Sequence, residues 1–153
     1  MTVEKRDTIL LSLGETQSRV QITGADGTSQ TLSLALGLDA LTPGPFRQDP
    51  PTSLELEQAI MVVEDVLMPL AARIPPHPVL YLHSPVPLAE PLGSRVQSRE
   101  NIERLFGQLV AIVEGDPLAS AQLPKDRRFA AALLILREWM HHLDAGSVVL
   151  VDG

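Results

Sequence analysis

TILLSLGETQSRVQI, residues 8–22, is the stretch on which the fold turns. It opens with TILLSLG (8–14), a compact apolar run, and continues into SRVQITG (18–24). In that second run Val20 and Ile22 point one way while Arg19, Gln21 and Thr23 point the other. A period of two is the mark of a half-buried strand. The link at 15–17 is short, and short links favour antiparallel neighbours. Beyond it, Ala25-Asp26-Gly27-Thr28 reads as a tight turn in which Gly27 supplies the positive φ. TLSLALG (31–37) then resumes the alternation, with Leu32, Leu34 and Leu36 on one face. The N-terminal quarter is therefore expected to be a three-stranded antiparallel meander.

Outward from the meander lies GLDALTPGPFRQDPP (37–51), a loop carrying Pro43, Pro45, Pro50 and Pro51. Loops of this length are often functional, and a plain crossover connection is the alternative. A helix is expected over 54–73, where Thr52 and Glu55 make a capping-box pattern. Its apolar face is Leu56, Ala59, Ile60, Val63, Leu67 and Leu70, with Glu57, Met61, Glu64 and Asp65 opposite. Pro75, Pro76 and Pro78 end it. PVLYLHS (78–84) reads as a short buried strand able to join the meander in parallel by a right-handed crossover. After the Pro-rich loop PVPLAEPLG (85–93), a second helix spans 98–114 and Gly115 stops it. A third begins at Pro124 and ends near Asp144, with Gly146 as its expected cap. SVVLV (147–151) is the last strand. The order is β-β-β-α-β-α-α-β: an α/β fold with a mixed five-stranded sheet, in one domain over 1–153.

The third helix contains FAAALLIL (129–136), two turns with no polar face. Such a helix is either enclosed within the fold or shared with a second copy as a homodimer seam.

Composition narrows the function classes. The chain has 153 residues and no cysteine, which removes disulfides, thiolate metal sites and a cysteine nucleophile. The net charge is −7 and aromatics are 3%, so neither phosphate displacement on nucleic acid nor base stacking is favoured. The longest apolar run is those eight residues at 129–136, short of the roughly 20 that cross a bilayer. The N-terminus MTVEKRDT has no signal-peptide pattern, and a cytoplasmic protein is expected, with no membrane or nucleic-acid partner.

The element order resembles that of ribonuclease H-like domains, the units from which actin-like ATPases, sugar kinases and heat-shock chaperone ATPases are built. Locally, the stretch running from Thr8 through Ile22 resembles the first phosphate-binding hairpin of that superfamily, in which a strand ending in Asp-x-Gly-x-Thr turns sharply into a second strand. Gly14 and Thr16 match the Gly and Thr. The resemblance implies a ribonuclease H-like topology and a phosphate- or nucleotide-binding turn built on Ser12, Gly14 and Thr16. In such a turn glycine allows close approach, exposed amides favour an anion, and the hydroxyl adds a hydrogen bond. Ser12 departs from the pattern: it stands where the family has an acidic residue that helps hold a hydrated metal ion. Glu15 adds a negative charge inside the turn. The ATPases face two such domains together, and the nuclease form needs carboxylates within the first strand, which this strand lacks.

Other candidate chemistry is sparse. His141 and His142 are adjacent, so they diverge by about 100° and do not chelate together. His83, at a strand end, is placed to approach the third helix and complete a site with an acidic residue, but surface or capping histidines favoured by the helix dipole are the better reading. Glu57 and Glu64 share a helix face that reads as solvated. Arg95, Arg99 and Arg104, and Lys125, Arg127 and Arg128, form two basic clusters suited to an anionic ligand or to plain solvation. No Gly-x-Ser-x-Gly, Gly-x-Gly-x-x-Gly or P-loop motif is present. No catalytic residue, cofactor or metal site is assigned. The expected function is an accessory or scaffold protein working through protein–protein contacts, its partner another protein or a second copy of itself. The alternative is a degenerate actin-like domain that binds nucleotide or phosphate at the Ser12–Thr16 turn.

Overall fold

The three N-terminal strands pair as a meander in the computed structural model, which describes residues 7–41, 44–74, 77–116, 123–124 and 126–151. Strand β1 (Thr8–Ser12) lies antiparallel to β2 (Ser18–Thr23), with Leu11 opposite Val20 and Ser12 opposite Arg19. Strand β3 (Ser29–Leu34) pairs antiparallel with β2, and Gly27 takes φ 90° in the turn between them. Strand β4 (Val79–His83) returns parallel to the other side of β1 and sets His83 beside Ser12. An antiparallel meander with the fourth strand added in parallel is the ribonuclease H-like arrangement expected from the sequence.

Among the described residues the sheet has six strands where five were expected, in the order β3-β2-β1-β4-β6-β5. The extra one, β5 (Val96–Ser98), pairs antiparallel with β6 (Ser147–Val151) at the far edge. Three residues carry no readable period, and here the polarity is inverted: Val96 is 62% exposed while Gln97 is buried. The Gln97 amide donates to the carbonyls of Leu92 and Ser94 at 3.2 and 2.8 Å, which satisfies the buried polar group. A short helix, α2 (Ala89–Leu92), also sits in the preceding Pro-rich stretch.

Helix α1 (Ser53–Ala71) opens on the expected capping box, Thr52 and Glu55 each accepting from the other's backbone amide at 3.2 Å. Helix α3 (Arg99–Val113) is capped by Ser98, and Gly115 with φ 76° ends it. Helix α4 (Arg127–His142) starts three residues after Pro124, and Asp144, not Gly146, takes the left-handed conformation behind it. Gly146 instead gives its carbonyl to the Arg99 amide at 2.9 Å. Pro43, Pro75, Pro76 and Lys125 lie outside the described residues.

One face of the sheet, Ile9, Leu11, Val20, Leu80, Leu82, Val148 and Leu150, is buried. Helix α4 packs between α1 and α3, and every residue from Phe129 to Leu136 is buried within the chain. At roughly 1.5–3 kcal/mol per buried large apolar side chain, this helix anchors the core. The residues that the sequence offered as an alternative homodimer seam, 129–136, are covered within the chain. The opposite sheet face, with Thr8, Leu10, Ser12, Tyr81 and His83, is only half-covered.

The loop at 37–51 is a packed strap where it is described. Leu38, Leu41 and Phe46 are fully buried. Its far end meets α4, where Asp49 accepts from the Arg127 amide at 2.7 Å.

Candidate functional site

The turn after β1 projects from the C-terminal end of the central strands, and its shape is dictated by two glycines. A Cβ on Gly14 would sit 2.1 Å from the Gln17 carbonyl oxygen, so the chain can fold back on itself only without a side chain there. A Cβ on Gly37 would sit 2.3 Å from the Glu15 carbonyl oxygen, so the strap can lie against the turn only at a second glycine. That contact is fixed by Leu38 and Asp39, whose amides donate to the Gly14 and Glu15 carbonyls at 3.0 and 2.8 Å. Gly14 is thus required by the turn itself, where the sequence suggested close approach of a phosphate.

Polar groups of the turn divide into engaged and free. The Leu13 amide donates to the His83 carbonyl at 2.8 Å and the Gly14 amide to Ser18 Oγ at 3.2 Å. Ser18, buried, in turn donates to the Leu36 carbonyl. Among the described residues nothing accepts from the amides of Glu15, Thr16 and Gln17, all three exposed. Successive free amides in a turn form a concave anion site. Glu15 does not enter it unopposed: Arg128, in the first turn of α4, grips its carboxylate with both terminal nitrogens at 2.8 and 2.9 Å. That hydrogen bonding holds the Glu15 carboxyl below its ordinary range, and Arg128 is raised by the same pair.

Two clefts flank the turn. One of about 330 Å³ is lined by Ser12, Gly14, Gln17, Ser18, Arg19 and Ser33. The other, of about 430 Å³, lies on the half-covered sheet face and is lined by Ser12, Gln21, Tyr81 and His83 among others. Ser12 lines both, and no carboxylate lines either. Arg19 makes no ion pair among the described residues, which leaves a cation directly across the ladder from Ser12. Sequence reading placed Arg19 only as the outward side of a strand. The pairing register, which puts it beside the turn, was the missing information.

The other expected candidates separate. His83 faces the half-covered side of the sheet, away from α4, because Leu80 and Leu82 take the covered side. It therefore does not join His141 and His142. The basic clusters are largely spent on structure: Arg99 pairs with Asp144 at 2.8 Å, Arg104 binds Asn101, Arg127 binds the Arg47 carbonyl, and Arg128 holds Glu15. Glu57 is exposed as expected, whereas Glu64 is half-buried against α4.

No family model matches the chain, and no curated protein matches it. Solved structures do. The fold is similar to that of the Aquifex aeolicus Ppx/GppA phosphatase, type II variant, with a TM-score of 0.71 and 15% identity over 97% of this chain and 54% of that one. It is similar also to an exopolyphosphatase from Cytophaga hutchinsonii, with a TM-score of 0.66 and 17% identity over 97% of this chain and 54% of that one. An exopolyphosphatase-like protein gives 0.70 and 13% over 95% and 54%. The chain thus spans about half the length of the structures it matches. These proteins share the ribonuclease H-like, actin-like fold that the sequence resemblance implied. They also correct the expectation of a scaffold acting through protein contacts alone: the proteins built like this chain are named as phosphatases, and they favour the phosphate-binding alternative. Among the described residues no helix is long and apolar enough to cross a membrane.

Proposed function

We propose that this chain is a phosphate-chain-binding domain of a phosphate-hydrolysing protein of the exopolyphosphatase kind, and that it holds its ligand at the turn after β1. The observation that carries the reading is the pairing of free anion-seeking groups there. The amides of Glu15, Thr16 and Gln17 have no acceptor among the described residues, and Arg19 lines the adjoining cleft without an ion pair. A phosphate oxygen would accept from the amides and the Thr16 hydroxyl, with the guanidinium of Arg19 supplying charge and Ser12 a further hydroxyl. The net charge of −7 argues against loose polyanion attraction, so binding would rest on these groups.

Binding and hydrolysis are separable in this reading. Serine at position 12 cannot hold a metal ion as the superfamily's acidic residue does, and neither cleft has a carboxylate to activate water. The domain therefore orients the phosphate chain, and the acid–base groups come from a second domain facing it. The similar structures, about twice as long, fit that division. A cytoplasmic setting fits a chain with no cysteine to oxidise.

Thermal melting with sodium polyphosphate, with sodium sulfate as the control for general salt effects, tests the reading. Polyphosphate at 100 times its dissociation constant should stabilise by about 2.7 kcal/mol. Arg19→Ala should weaken binding about tenfold or more, the value of one charge-assisted hydrogen bond. Absence of a shift with polyphosphate, triphosphate and magnesium-ATP alike sinks the proposal, as does a shift that Arg19→Ala leaves intact.

A further inference from the structure

Among the described residues, the buried charged side chains left without hydrogen-bond partners lie away from that turn, between α1 and α4. Glu138 is 0% exposed, a position carboxylates occupy only when their charge is met. Its Oε1 accepts from Arg137 Nη1 at 2.6 Å. Its Oε2 is buried and has no hydrogen-bond partner, and His142 Nε2, one helical turn on, is likewise buried and unbonded. The two atoms are 3.2 Å apart without meeting hydrogen-bond geometry. Glu64 of α1 completes the group, with one ligand atom from each of the three residues lying within 4.8 Å of the others.

We infer that Glu64, Glu138 and His142 form a binding site for a divalent first-row transition-metal ion such as zinc. Charge is the first argument. Arg137 is shared between Glu138 and Glu103, at 2.6 and 3.3 Å, so three carboxylates including Glu64 stand against one guanidinium. A dication balances that set. Geometry is the second. Bonds of about 2.1 Å at tetrahedral or octahedral angles place adjacent donor atoms roughly 3.0–3.4 Å apart, and the Glu138–His142 separation already has that value. A proton shared between the two atoms would instead lie along the line joining them, where no hydrogen bond forms.

Donor chemistry selects the class of ion. One imidazole and two carboxylates suit zinc, manganese, iron(II) or cobalt better than calcium or magnesium, which prefer oxygen alone. Arg137 fixes the outer oxygen of Glu138 and so orients the inner one, the office that outer-shell partners perform in metal sites. Glu138 and His142 are four apart on α4, and i,i+4 side chains share a helix face. Three protein ligands leave at least one coordination position open. The site is ten residues from Arg128 along α4, about 15 Å, so it is separate from the phosphate turn and does not depend on that reading.

Cobalt(II) titration of the full chain is the test, read by visible d–d absorption, with zinc competition and melting temperature as second readouts. One equivalent of cobalt should bind, zinc should displace it, and zinc should raise the melting temperature. Glu138→Gln and His142→Gln should each weaken binding about tenfold or more, while His141→Gln, on the exposed neighbour, should leave it unchanged. Because Glu138→Gln alters a buried charge, His142→Gln at 18% side-chain exposure is the variant whose folding is the safer comparison. Lack of cobalt or zinc binding by the intact protein overturns the inference. So does binding that His142→Gln leaves untouched, or that His141→Gln abolishes.

Discussion

Helix α4 meets charge at both ends and treats it in opposite ways. At its start, Arg128 and Glu15 form a two-pronged pair with side chains 45% and 50% exposed. Toward its end, Glu138 is sealed from water: Arg137 holds one oxygen, and the other faces His142 at 3.2 Å without a hydrogen bond. Water can stand in for either partner of the first pair, so its loss is cheap. Nothing can stand in for the partners of Glu138, so the second arrangement is one that the fold must either compensate or fill.

The largest expected effect breaks that contrast from the buried side. Glu138→Ala should lose about 3 kcal/mol in urea unfolding, because it strips Arg137 of a buried partner and opens a gap beside α1. Glu138→Met, which fills the same space without charge, should lose markedly less. If the alanine variant unfolds like the parent, the buried cluster is not the costly element it is taken to be.

Gly14→Ala comes next and probes the exposed side through its backbone. A methyl group 2.1 Å from the Gln17 carbonyl forces the turn to move, at about 2 kcal/mol. Circular dichroism in the far ultraviolet should show the sheet retained while the melting temperature falls. An unchanged melting temperature would mean that the turn tolerates another path.

Glu15→Gln should have the smallest effect and sharpens the comparison by pH. The Glu15 carboxyl is held low in the folded chain by Arg128, so its contribution to stability is present above the ordinary carboxylate value. It is lost as pH falls through the lowered value. The variant should lie slightly below the parent near neutral pH, lose less urea midpoint as pH falls, and converge with it toward about pH 3. A large deficit at neutral pH would put the exposed pair in the same class as the buried one.

The meander was legible because its physics is local: alternating Val20 and Ile22, a positive-φ Gly27 and short links admit few other structures. The same holds for the Thr52–Glu55 box, whose two hydrogen bonds span one turn. Of the proposed phosphate turn, the sequence named Ser12, Gly14 and Thr16 as candidates. The turn's cation was not legible, since Arg19 reaches the cleft only through the register that sets it opposite Ser12. Strand β5 was invisible for a related reason: Val96 and Gln97 are a strand only because β6 lies beside them. The adjacent pair His141 and His142 drew attention in the sequence, while Glu138, the true neighbour of His142, sat unremarked one turn earlier.

The sequence by itself determined five of the six strands, the three long helices, their order and the topology class, because hydrophobic period, caps and turn residues act over a few residues. Tertiary structure alone decided which charges are neutralised. It turned Arg128 onto Glu15, left Arg19 without an ion pair among the described residues, and brought Glu64 to Glu138 and His142. Those outcomes depend on desolvation and on distances between residues far apart in the chain, and neither quantity exists until the helices are packed.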